Sequence, residues 1–384
     1  MSHHARLLLP SRIGQVLVVA GHLGDQVEEL VAAEEHPGLE MTLIHEDEQN
    51  GTVAALRLAA DADLDADRFL VILGDILMSF PVDGFLTAWH DSGKSVAVAV
   101  HPSTHPEDSD AVFTGDDGFV TVRAKGDRDA DLPNSSSAGL FAITRDGLER
   151  FGHTRDFGSD LLPAAAAEGA LYAHVSSHYF KDTGTPQRLA AANADVASGC
   201  FARRGSLTPR PALFLDRDGV INPADPEVYE PAQYRLNPGV AEAIAVANKR
   251  GLPVLVATNQ PGLAKGFMSS QTHTAIRAEM DRQLAEQGAF VDDYAFCPHH
   301  PDAGFPGEVP GLKVECDCRK PAPGLLTGLA ARHGIDFQRS IMVGDTWRDE
   351  EAAQAAGASF LSVDANTGVG ACEVITQAIE ELTC

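Results

Sequence analysis

Four short segments in the second half of the chain carry polar side chains in an order that suits phosphoryl transfer. Asp216 and Asp218 follow an apolar run in FLDRDGVIN, and Thr258 follows another in VATNQ. Lys320 lies in CDCRKP, and Asp345 follows a third apolar run in IMVGDTWRD. Each segment alone is common as a loop or plain metal feature. Together they supply the carboxylates, hydroxyl and cation that bind a phosphate ester beside a divalent metal.

These side chains have distinct roles in the predicted chemistry. Asp216 and Asp345 offer hard oxygen ligands that suit Mg²⁺, which shields the charge of the ester. Asp216 can attack phosphorus and form an aspartyl phosphate. Asp218 can protonate the leaving oxygen and later activate the water. Thr258 and the amide of Asn259 can donate hydrogen bonds to the phosphoryl oxygens.

Three further positions belong to the same pattern. Lys320 can neutralise charge on the nucleophile and on the phosphoryl group. Gly219 gives the loop after the nucleophile room to turn back over the site. Asp349, the last residue of GDTWRD, is expected at the same strand end as Asp345.

The segment CPHHPDAGFPGEVPGLKVECDC has the spacing of a metal site. It reads C-x-H, sixteen intervening residues, then C-x-C, with the residues Cys297, His299, Cys316 and Cys318. Four such ligands suit tetrahedral Zn²⁺, and His300 is the alternative histidine. A disulfide between Cys316 and Cys318 is strained at that spacing and unfavoured inside cells. A structural zinc would fix the loop that leads into Lys320.

Short apolar strands alternate with helical patterns in both halves, which predicts an α/β protein of two domains. Each domain is expected to hold a mainly parallel sheet flanked by helices, with ligands at the carboxyl ends of the strands. Little sequence separates the first two strands of the second half, so no large cap domain is expected there. In that half the predicted strands are 212–215, 253–257, 340–343 and 360–363, and the predicted helices are 239–249, 270–287 and 322–332.

Through these motifs residues 211–360 resemble the phosphatases of the haloacid dehalogenase (HAD) superfamily. They are most similar to the heptose 1,7-bisphosphate 7-phosphatases and the related histidinol-phosphate phosphatases. The resemblance implies a Rossmannoid fold with Asp216 as nucleophile, Asp218 as acid and base and Lys320 as the catalytic lysine. Thr258 joins the catalytic set through phosphate binding. The magnesium site is assigned to Asp216, Asp218 and Asp345.

The resemblance also implies a substrate-binding set and a zinc-clamped loop. The substrate-binding candidates are Asn259, Gln260, Lys265 and Arg319. The C-x-H…C-x-C loop of these phosphatases favours His299 over His300 as the zinc ligand, and His300 is then a substrate-side or exposed residue. The chain departs from the family at Lys265, at Thr346 and in the segment 226–229. Arg348 is a candidate replacement phosphate contact, or a solvated arginine on a helix face.

Residues 15–200 resemble sugar-1-phosphate nucleotidyltransferases in the order of VLVVAGHLGDQVEEL, EQNGTVAALRLA, VILGD, SAGLFAI and YFKDTGTPQRL. HPSTHPEDSDAV is like the N-terminal halves of chains that fuse such a domain to a heptose phosphatase. The resemblance implies that Asp75 and Asp182 are former metal ligands. The Gly-rich phosphate loop and its lysine are absent. The domain is therefore expected to be catalytically silent, with residual activity or a true start further upstream as the alternatives.

Composition limits the partners. The formal net charge of −26 argues against nucleic acid and anionic membranes, and no segment reaches a membrane-spanning length. A soluble cytoplasmic protein is expected. The chain is predicted to divide into a first domain at residues 1–200, a linker at 201–211 and a second domain at 212–384. The first domain is a candidate surface for homodimerisation. Cys200, Cys372 and Cys384 are read as buried or incidental thiols.

The predicted function is a Mg²⁺-dependent phosphomonoesterase with a structural Zn²⁺, acting on a sugar phosphate. Heptose 1,7-bisphosphate is the favoured substrate. Histidinol phosphate or another small molecule is the alternative within the class. The alternative of another class is a bifunctional nucleotidyltransferase and phosphatase, against which the missing Gly-rich loop argues.

Overall fold

The computed structural model describes most of the chain. Cys384 lies outside the described residues, as do parts of EQNG and HPSTHPED and one residue of AGHLGD. The described residues are 2–8, 11, 13–21, 23–33, 38–46, 50–62, 66–103, 108–115, 118–126, 132–364 and 370–383.

The C-terminal half is a five-stranded, all-parallel sheet between two layers of helices. Its strands are β11 (Leu213–Leu215), β12 (Val254–Asn259), β13 (Asp293–Cys297), β14 (Ile341–Gly344) and β15 (Ser359–Ser362). Its α-helices are α9 (Val240–Lys249), α10 (Ser270–Ala285), α11 (Gly324–His333), α12 (Trp347–Ala356) and α13 (Ala371–Thr383). The strand order is β13-β12-β11-β14-β15, so β11 is central and its carboxyl end lies between those of β12 and β14.

Side chains that alternate between the two faces of the sheet divide the core of this half into two apolar clusters. Leu213 and Leu215 pack on one face with α9, α10 and α13, whereas Phe214 packs on the other with α11 and α12. All three side chains are fully buried. Because successive side chains of a strand point to opposite faces, a strand covered by helices on both sides is apolar throughout.

The predicted elements of this half agree closely with the structure. Each predicted strand and helix is present, with ends displaced by two residues or fewer. The strand β13 and the helices α12 and α13 were not predicted. The strand β13 begins with the buried residue Asp293, so its sequence, DYAFC, does not read as an apolar run.

The N-terminal half is also α/β, but its strands pair in both directions. Its strands are β1 (Gln15–Ala20), β2 (Glu40–His45), β3 (Arg68–Ile72), β4 (Ile76–Ser79), β5 (Val96–His101), β6 (Ala111–Thr114), β7 (Val120–Arg123), β8 (Ser136–Thr144), β9 (Leu171–Val175) and β10 (Tyr179–Asp182). Its α-helices are α1 (Ser2–Leu8), α2 (Gly24–Ala33), α3 (Thr52–Ala60), α4 (Val82–Ser92), α5 (Arg145–Phe151), α6 (Leu162–Ala167), α7 (Pro186–Ala197) and α8 (Cys200–Arg204).

A six-stranded sheet is the centre of this half. It has the order β7-β6-β8-β5-β9, with β3 also paired to β8. The pairs β1/β2 and β5/β9 are parallel, and the pairs of β8 with β3, β5 and β6 are antiparallel. Two apolar clusters cover the half. The predicted two-domain α/β architecture is therefore confirmed. The expectation of a mainly parallel sheet holds for the second half alone, because four of the five strand pairings described in this six-stranded sheet are antiparallel.

The predicted linker contains two buried arginines that join both halves. Arg204, at the end of α8, forms a forked ion pair with Asp292, with 3.2 Å between Nη2 and Oδ2, and also donates to the carbonyl of Ser177 at 3.3 Å. Arg210 donates from Nη2 to Ser177 Oγ and to the carbonyl of His333, both at 2.9 Å. The segment is therefore a packed connection and not a solvated tether.

Among the residues that the structure describes, no helix combines the length and the apolar character needed to cross a lipid bilayer.

The Arg204–Asp292 pair gives a stability prediction. Arg204→Met leaves the carboxylate of Asp292 buried without its cation, so we expect the free energy of unfolding to fall by about 3 kcal/mol or more. Urea unfolding of the full chain measures this change. Arg282→Met is the matched control, because Arg282 forms surface ion pairs and its loss should cost less than about 1 kcal/mol. Equal losses in the two variants would contradict the assigned role.

Candidate active site

Three carboxylates meet at the carboxyl edge of the parallel sheet. Asp216 follows β11 directly, Asp345 follows β14, and Asp349 lies in the first turn of α12. One oxygen from each lies within 4.8 Å of the others. Because β11 and β14 are neighbours, the register of the sheet brings their ends together, with the Asp216 amide 3.0 Å from the Val343 carbonyl.

A buried lysine balances part of this charge. Lys320 Nζ lies 2.9 Å from Asp216 Oδ2, 2.5 Å from Asp349 Oδ1 and 2.7 Å from the carbonyl of Ala257. Burial opposes the charge of Lys320, but the two carboxylates outweigh it and raise its pKa. Lys320 therefore stays charged, and it contacts both the nucleophile candidate Asp216 and Asp349 on α12.

Three carboxyl groups face one ammonium group here, and a divalent metal ion could neutralise the remaining negative charge. Burial raises the pKa of Asp216 to about 8 against the effect of Lys320, and the charge of Asp349 adds to the rise. Burial also raises the pKa of Asp345 to about 6, again with a contribution from Asp349. Burial opposes the charge of Asp349 as well, but Lys320 outweighs burial there and lowers the pKa of that carboxyl. Two carboxyl groups that resist ionisation beside a third that stays charged are hard oxygen donors of the kind that Mg²⁺ binds.

Gly219 is required by the close approach of the loop to Asp345. Its φ of +88° lies in the left-handed region, and a Cβ built on it would lie 2.1 Å from Asp345 Oδ2. Any other residue would collide with the carboxylate. The expected turn of the loop over the site is thus present, and it is the Asp345 side chain that occupies the space.

Asp218 has a different environment from the one expected of a magnesium ligand. Its Oδ1 accepts hydrogen bonds from Arg217 Nε at 3.1 Å, Arg217 Nη2 at 2.9 Å and Asn222 Nδ2 at 2.9 Å. Its Oδ2 accepts from Arg217 Nη2 and Gln260 Nε2, both at 2.8 Å. Within the described part of the chain, Asp349 and not Asp218 completes the carboxylate group. We call this set of donors around Asp218 the clamp.

The clamp keeps the Asp218 carboxylate charged. Burial opposes the charge, but Arg217 and the hydrogen bonds from Asn222 and Gln260 outweigh burial and lower the pKa of Asp218. Because five donor contacts stabilise its charged form, this carboxylate is a weak proton acceptor while the clamp is closed. To give a proton to a leaving oxygen, it must first gain one and turn away from part of the clamp.

The predicted phosphate-binding residues of β12 are partly engaged with the protein. Thr258 is fully buried, and its hydroxyl accepts from Gln260 Nε2 at 3.0 Å. The side-chain amide of Asn259 pairs with the backbone of Lys320 through two 3.0 Å hydrogen bonds. Asn259 and Gln260 line the cavity over the carboxylates. The side chain of Asn259 thus positions Lys320.

The four residues of the C-x-H…C-x-C pattern lie together. Sγ of Cys316 is 3.6 Å from Sγ of Cys297 and 3.3 Å from Sγ of Cys318, and His299 Nδ1 is 3.3 Å from Sγ of Cys318. Zn–S bonds of ~2.3 Å give tetrahedral edges of about 3.8 Å, so these separations fit one zinc ion. Burial and the neighbouring thiols raise the pKa of Cys318, and a metal cation would favour the thiolates that this crowding disfavours.

This cluster orders the segment that carries Arg319 and Lys320. Arg319 Nη1 donates to the carbonyl of His299 at 3.1 Å, and the amide of Gln260 donates to the carbonyl of Cys297 at 2.8 Å. His300 is outside the cluster, and its ring meets that of Phe305 edge-on at 5.7 Å. The cluster is therefore joined to both the lysine and the clamp.

A cavity of about 260 Å³ opens above the carboxylates. Its mouth carries Arg319, Arg348, Glu227 and Tyr229, and the Tyr229 hydroxyl donates to the Glu227 carboxylate. Lys265, an expected substrate contact, is not among the lining residues, and its ammonium lies 5.0 Å from the centre of the Phe305 ring. Arg348, which the sequence left open, does face the cavity.

In the N-terminal half, Asp75 and Asp182 both lie beside Gly184. Asp182 is already satisfied by protein donors: the Gly184 amide at 2.6 Å and Arg188 Nη1 at 2.7 Å. Arg188 also pairs with Asp108. The guanidinium of Arg188 thus balances the charge of Asp182. Among the described residues, no group of three His, Cys, Asp or Glu side chains around Asp182 is close enough to hold one metal ion.

Comparisons with known families support the division of the chain. The family described as nucleotidyl transferase matches residues 1–199, and the family described as HAD-hydrolase-like matches residues 317–377. The D-glycero-beta-D-manno-heptose-1,7-bisphosphate 7-phosphatase of Rhodopseudomonas palustris is 44% identical over 152 residues, which are 40% of this chain and 82% of that protein. The chain belongs to the HAD phosphatase family in its C-terminal half and to the nucleotidyl transferase family in its N-terminal half.

Other relatives cover the same half of this two-family chain. The enzyme of the same description from Mesorhizobium japonicum is 40% identical over 179 residues, 46% of this chain and 78% of that protein. A solved D,D-heptose 1,7-bisphosphate phosphatase from B. bronchiseptica, complexed with magnesium and phosphate, is 34% identical over 45% of this chain and 97% of its own, with a TM-score of 0.39. The phosphatase class predicted from the motifs is confirmed by the curated relatives.

Two residues of this HAD site were not assigned roles from the sequence. Asp349 was placed at the correct strand end, and the signal for its role was its position in the first helical turn after Asp345, where it faces Lys320. Arg217 stands between the two aspartates of FLDRDG, where the sequence gives it no role. Its inward orientation depends on partners distant in sequence, so no local pattern identifies it.

The cysteine and histidine cluster gives a second prediction, on the expectation that it binds zinc. Cys316→Ser should lose the zinc and lower the melting temperature by about 4–8 °C, corresponding to a loss of about 2 kcal/mol in a domain of this size. Metal content by plasma mass spectrometry and thermal unfolding measure both effects. Cys372→Ser is the matched control, since Cys372 lies outside the cluster. Equal zinc content in the two variants would refute the assignment.

Proposed function

We propose that this protein is a Mg²⁺-dependent phosphomonoesterase that removes the 7-phosphate of D-glycero-D-manno-heptose 1,7-bisphosphate. The observation that carries the proposal is the contact of Lys320 with both Asp216 and Asp349, beside Asp345, at the strand ends beneath an open cavity. This is a site built around one nucleophilic carboxylate that a buried ammonium contacts directly. The relatives named above supply the expected substrate class.

In the proposed reaction an oxygen of Asp216 attacks the phosphorus atom, and the bond from phosphorus to the sugar oxygen breaks. Asp218, which takes up a proton from solvent as it turns away from part of the clamp, gives that proton to the sugar oxygen, which leaves as a hydroxyl. Water then attacks the phosphorus of the aspartyl phosphate while Asp218 accepts its proton, and the release of phosphate regenerates Asp216. Magnesium, held by Asp216, Asp345 and Asp349, would offset the charge of the phosphoryl oxygens.

The remaining residues position these groups. Lys320 lowers the cost of charge on Asp216 and lies where it can also face a phosphoryl oxygen. The side chain of Asn259 fixes the backbone of Lys320, so a shift of either would move the ammonium. Thr258, deeply buried beside Gln260, is proposed as a phosphate contact through its hydroxyl.

The mouth of the cavity supports a substrate with a second anionic group. Arg319 and Arg348 both line it, and two guanidinium groups there suit a second phosphate. Glu227 and Tyr229 offer oxygen atoms to the hydroxyls of a sugar. Histidinol phosphate has a single phosphate and would leave one guanidinium without a partner, which favours the bisphosphate.

We propose a structural role for the zinc, because four protein ligands leave no position for a reacting water. We also propose that the N-terminal half is catalytically silent as a nucleotidyltransferase. Arg188 supports this, since it occupies the carboxylate that would hold a metal. Packing, dimerisation and sugar-phosphate binding are the uses that remain for this half.

The test of the reaction is phosphate release from a panel with Mg²⁺. The panel holds heptose 1,7-bisphosphate, fructose 1,6-bisphosphate and histidinol phosphate. Heptose bisphosphate should be preferred, with heptose 1-phosphate as product. Asp216→Asn should lower kcat by at least about 10³-fold without unfolding the chain, because the nucleophile is lost. Asp225→Asn, at an exposed aspartate outside the cavity, is the matched control. Turnover that persists in Asp216→Asn would rule out the nucleophile.

A separate prediction tests the second phosphate contact. Arg348→Ala should raise KM for the bisphosphate by about 10-fold and change KM for a sugar monophosphate by less than about 2-fold, since only the bisphosphate uses this guanidinium. Steady-state kinetics on both substrates measure the difference. Arg339→Ala is the control, because Arg339 is exposed and does not line the cavity. Equal changes on the two substrates would show that Arg348 makes no phosphate contact.

A further inference from the structure

Arg277, on α10 of the phosphatase half, lies between aromatic rings from the two halves of the chain. Its guanidinium carbon is 5.5 Å from the centre of the Phe113 ring on β6 and 5.1 Å from that of Tyr294 on β13. Its Nε is buried and has no hydrogen-bond partner. The planar guanidinium is therefore held by the two rings, an arrangement that lysine cannot reproduce.

The same face of α10 makes a second contact with the N-terminal half one turn further on. The amide of Asn134 donates to Asp281 Oδ2 at 2.8 Å, and Asp281 is buried. Asp281 is four residues beyond Arg277, so the two side chains lie on one stripe of the helix. Their contacts fix that stripe against β6 and the segment before β8.

Tyr294 continues the connection toward the catalytic site. Its buried hydroxyl accepts from Arg217 Nη1 at 3.4 Å and lies 3.2 Å from Nε2 of His273. His273 is four residues before Arg277 on the same stripe of α10. The side chain of Tyr294 is thus held on one side by α10 and faces Arg217 on the other.

Arg217 continues this run of contacts from Tyr294 to Asp218, the acid-base candidate. It is buried, and its Nη2 and Nε reach both oxygens of Asp218 while Nη2 also donates to Gln260 Oε1 at 3.0 Å. The remaining nitrogen, Nη1, is the one that faces Tyr294. Both ends of the guanidinium are therefore fixed, one by the clamp and the other by Tyr294.

We propose that Arg277 is a positioning residue for the phosphatase reaction, through which the N-terminal half braces the clamp on Asp218. The series runs Phe113, Arg277, Tyr294, Arg217, Asp218, and its first member belongs to the half without a proposed reaction. The inference rests on the proposed function of the site for its kinetic consequence. It gives the nucleotidyltransferase-like half a mechanical use in a phosphatase.

The test compares variants of the full chain. Arg277→Leu removes the cation between the rings, and Phe113→Leu removes the ring of the N-terminal half alone. Both should lower kcat by about 10-fold or more and leave KM within about 2-fold, because the substrate contacts are intact and only the acid-base group is loosened. Arg277→Lys should recover less than half of the lost kcat. Arg282→Leu, on the exposed side of α10, should match the wild type.

A readout that does not use activity accompanies the kinetics. Hydrogen exchange of the peptide covering residues 216–220 should become faster in Arg277→Leu and Phe113→Leu than in Arg282→Leu. Wild-type kcat together with unchanged exchange in both variants would overturn the brace. If the wild-type chain shows no phosphatase activity, the proposed function fails, and the exchange comparison alone then decides whether the brace exists.

Discussion

The buried contact of Lys320 with Asp216 and Asp349 is the interaction on which the rest of the site depends. Carboxylates brought to one sheet edge repel each other and resist ionisation, as the raised pKa of Asp216 and that of Asp345 show. One ammonium group offsets part of this repulsion, and a divalent cation can neutralise the negative charge that remains. Gly219, Asn259 and the loop into α12 all serve to keep that geometry.

Lys320 is placed by a part of the chain that has little apolar content of its own. The segment between β13 and α11 is rich in proline and glycine, and the cysteine and histidine cluster provides a substitute for a core. From that cluster the chain passes directly to Arg319 and Lys320, and the Asn259 side chain then fixes the lysine backbone. One loop thus carries both the candidate metal ligands and the buried lysine of the site.

Much of this could be predicted from the sequence, because the strand ends of a parallel sheet are encoded locally. FLDRDG, VATN and VGD place their polar residues directly after apolar runs, and the C-x-H…C-x-C spacing identifies its four members. What local patterns could not give are contacts between distant segments. The position of Asp349 beside Asp216 and Asp345, the inward orientation of Arg217 and the contact of Arg277 with Phe113 all depend on packing. Residues 201–211 read as a linker because arginine is polar and glycine and proline break regular structure, whereas Arg204 and Arg210 are buried between the halves.

The central claim is that Asp216 becomes phosphorylated during turnover. Rapid quenching of the enzyme with its substrate, followed by borohydride reduction, converts an aspartyl phosphate into homoserine, which peptide mass spectrometry locates. The account predicts homoserine at position 216 and at no other carboxylate. Reduction at another aspartate, or turnover with no trapped residue under conditions that trap a known aspartyl phosphate, would contradict it.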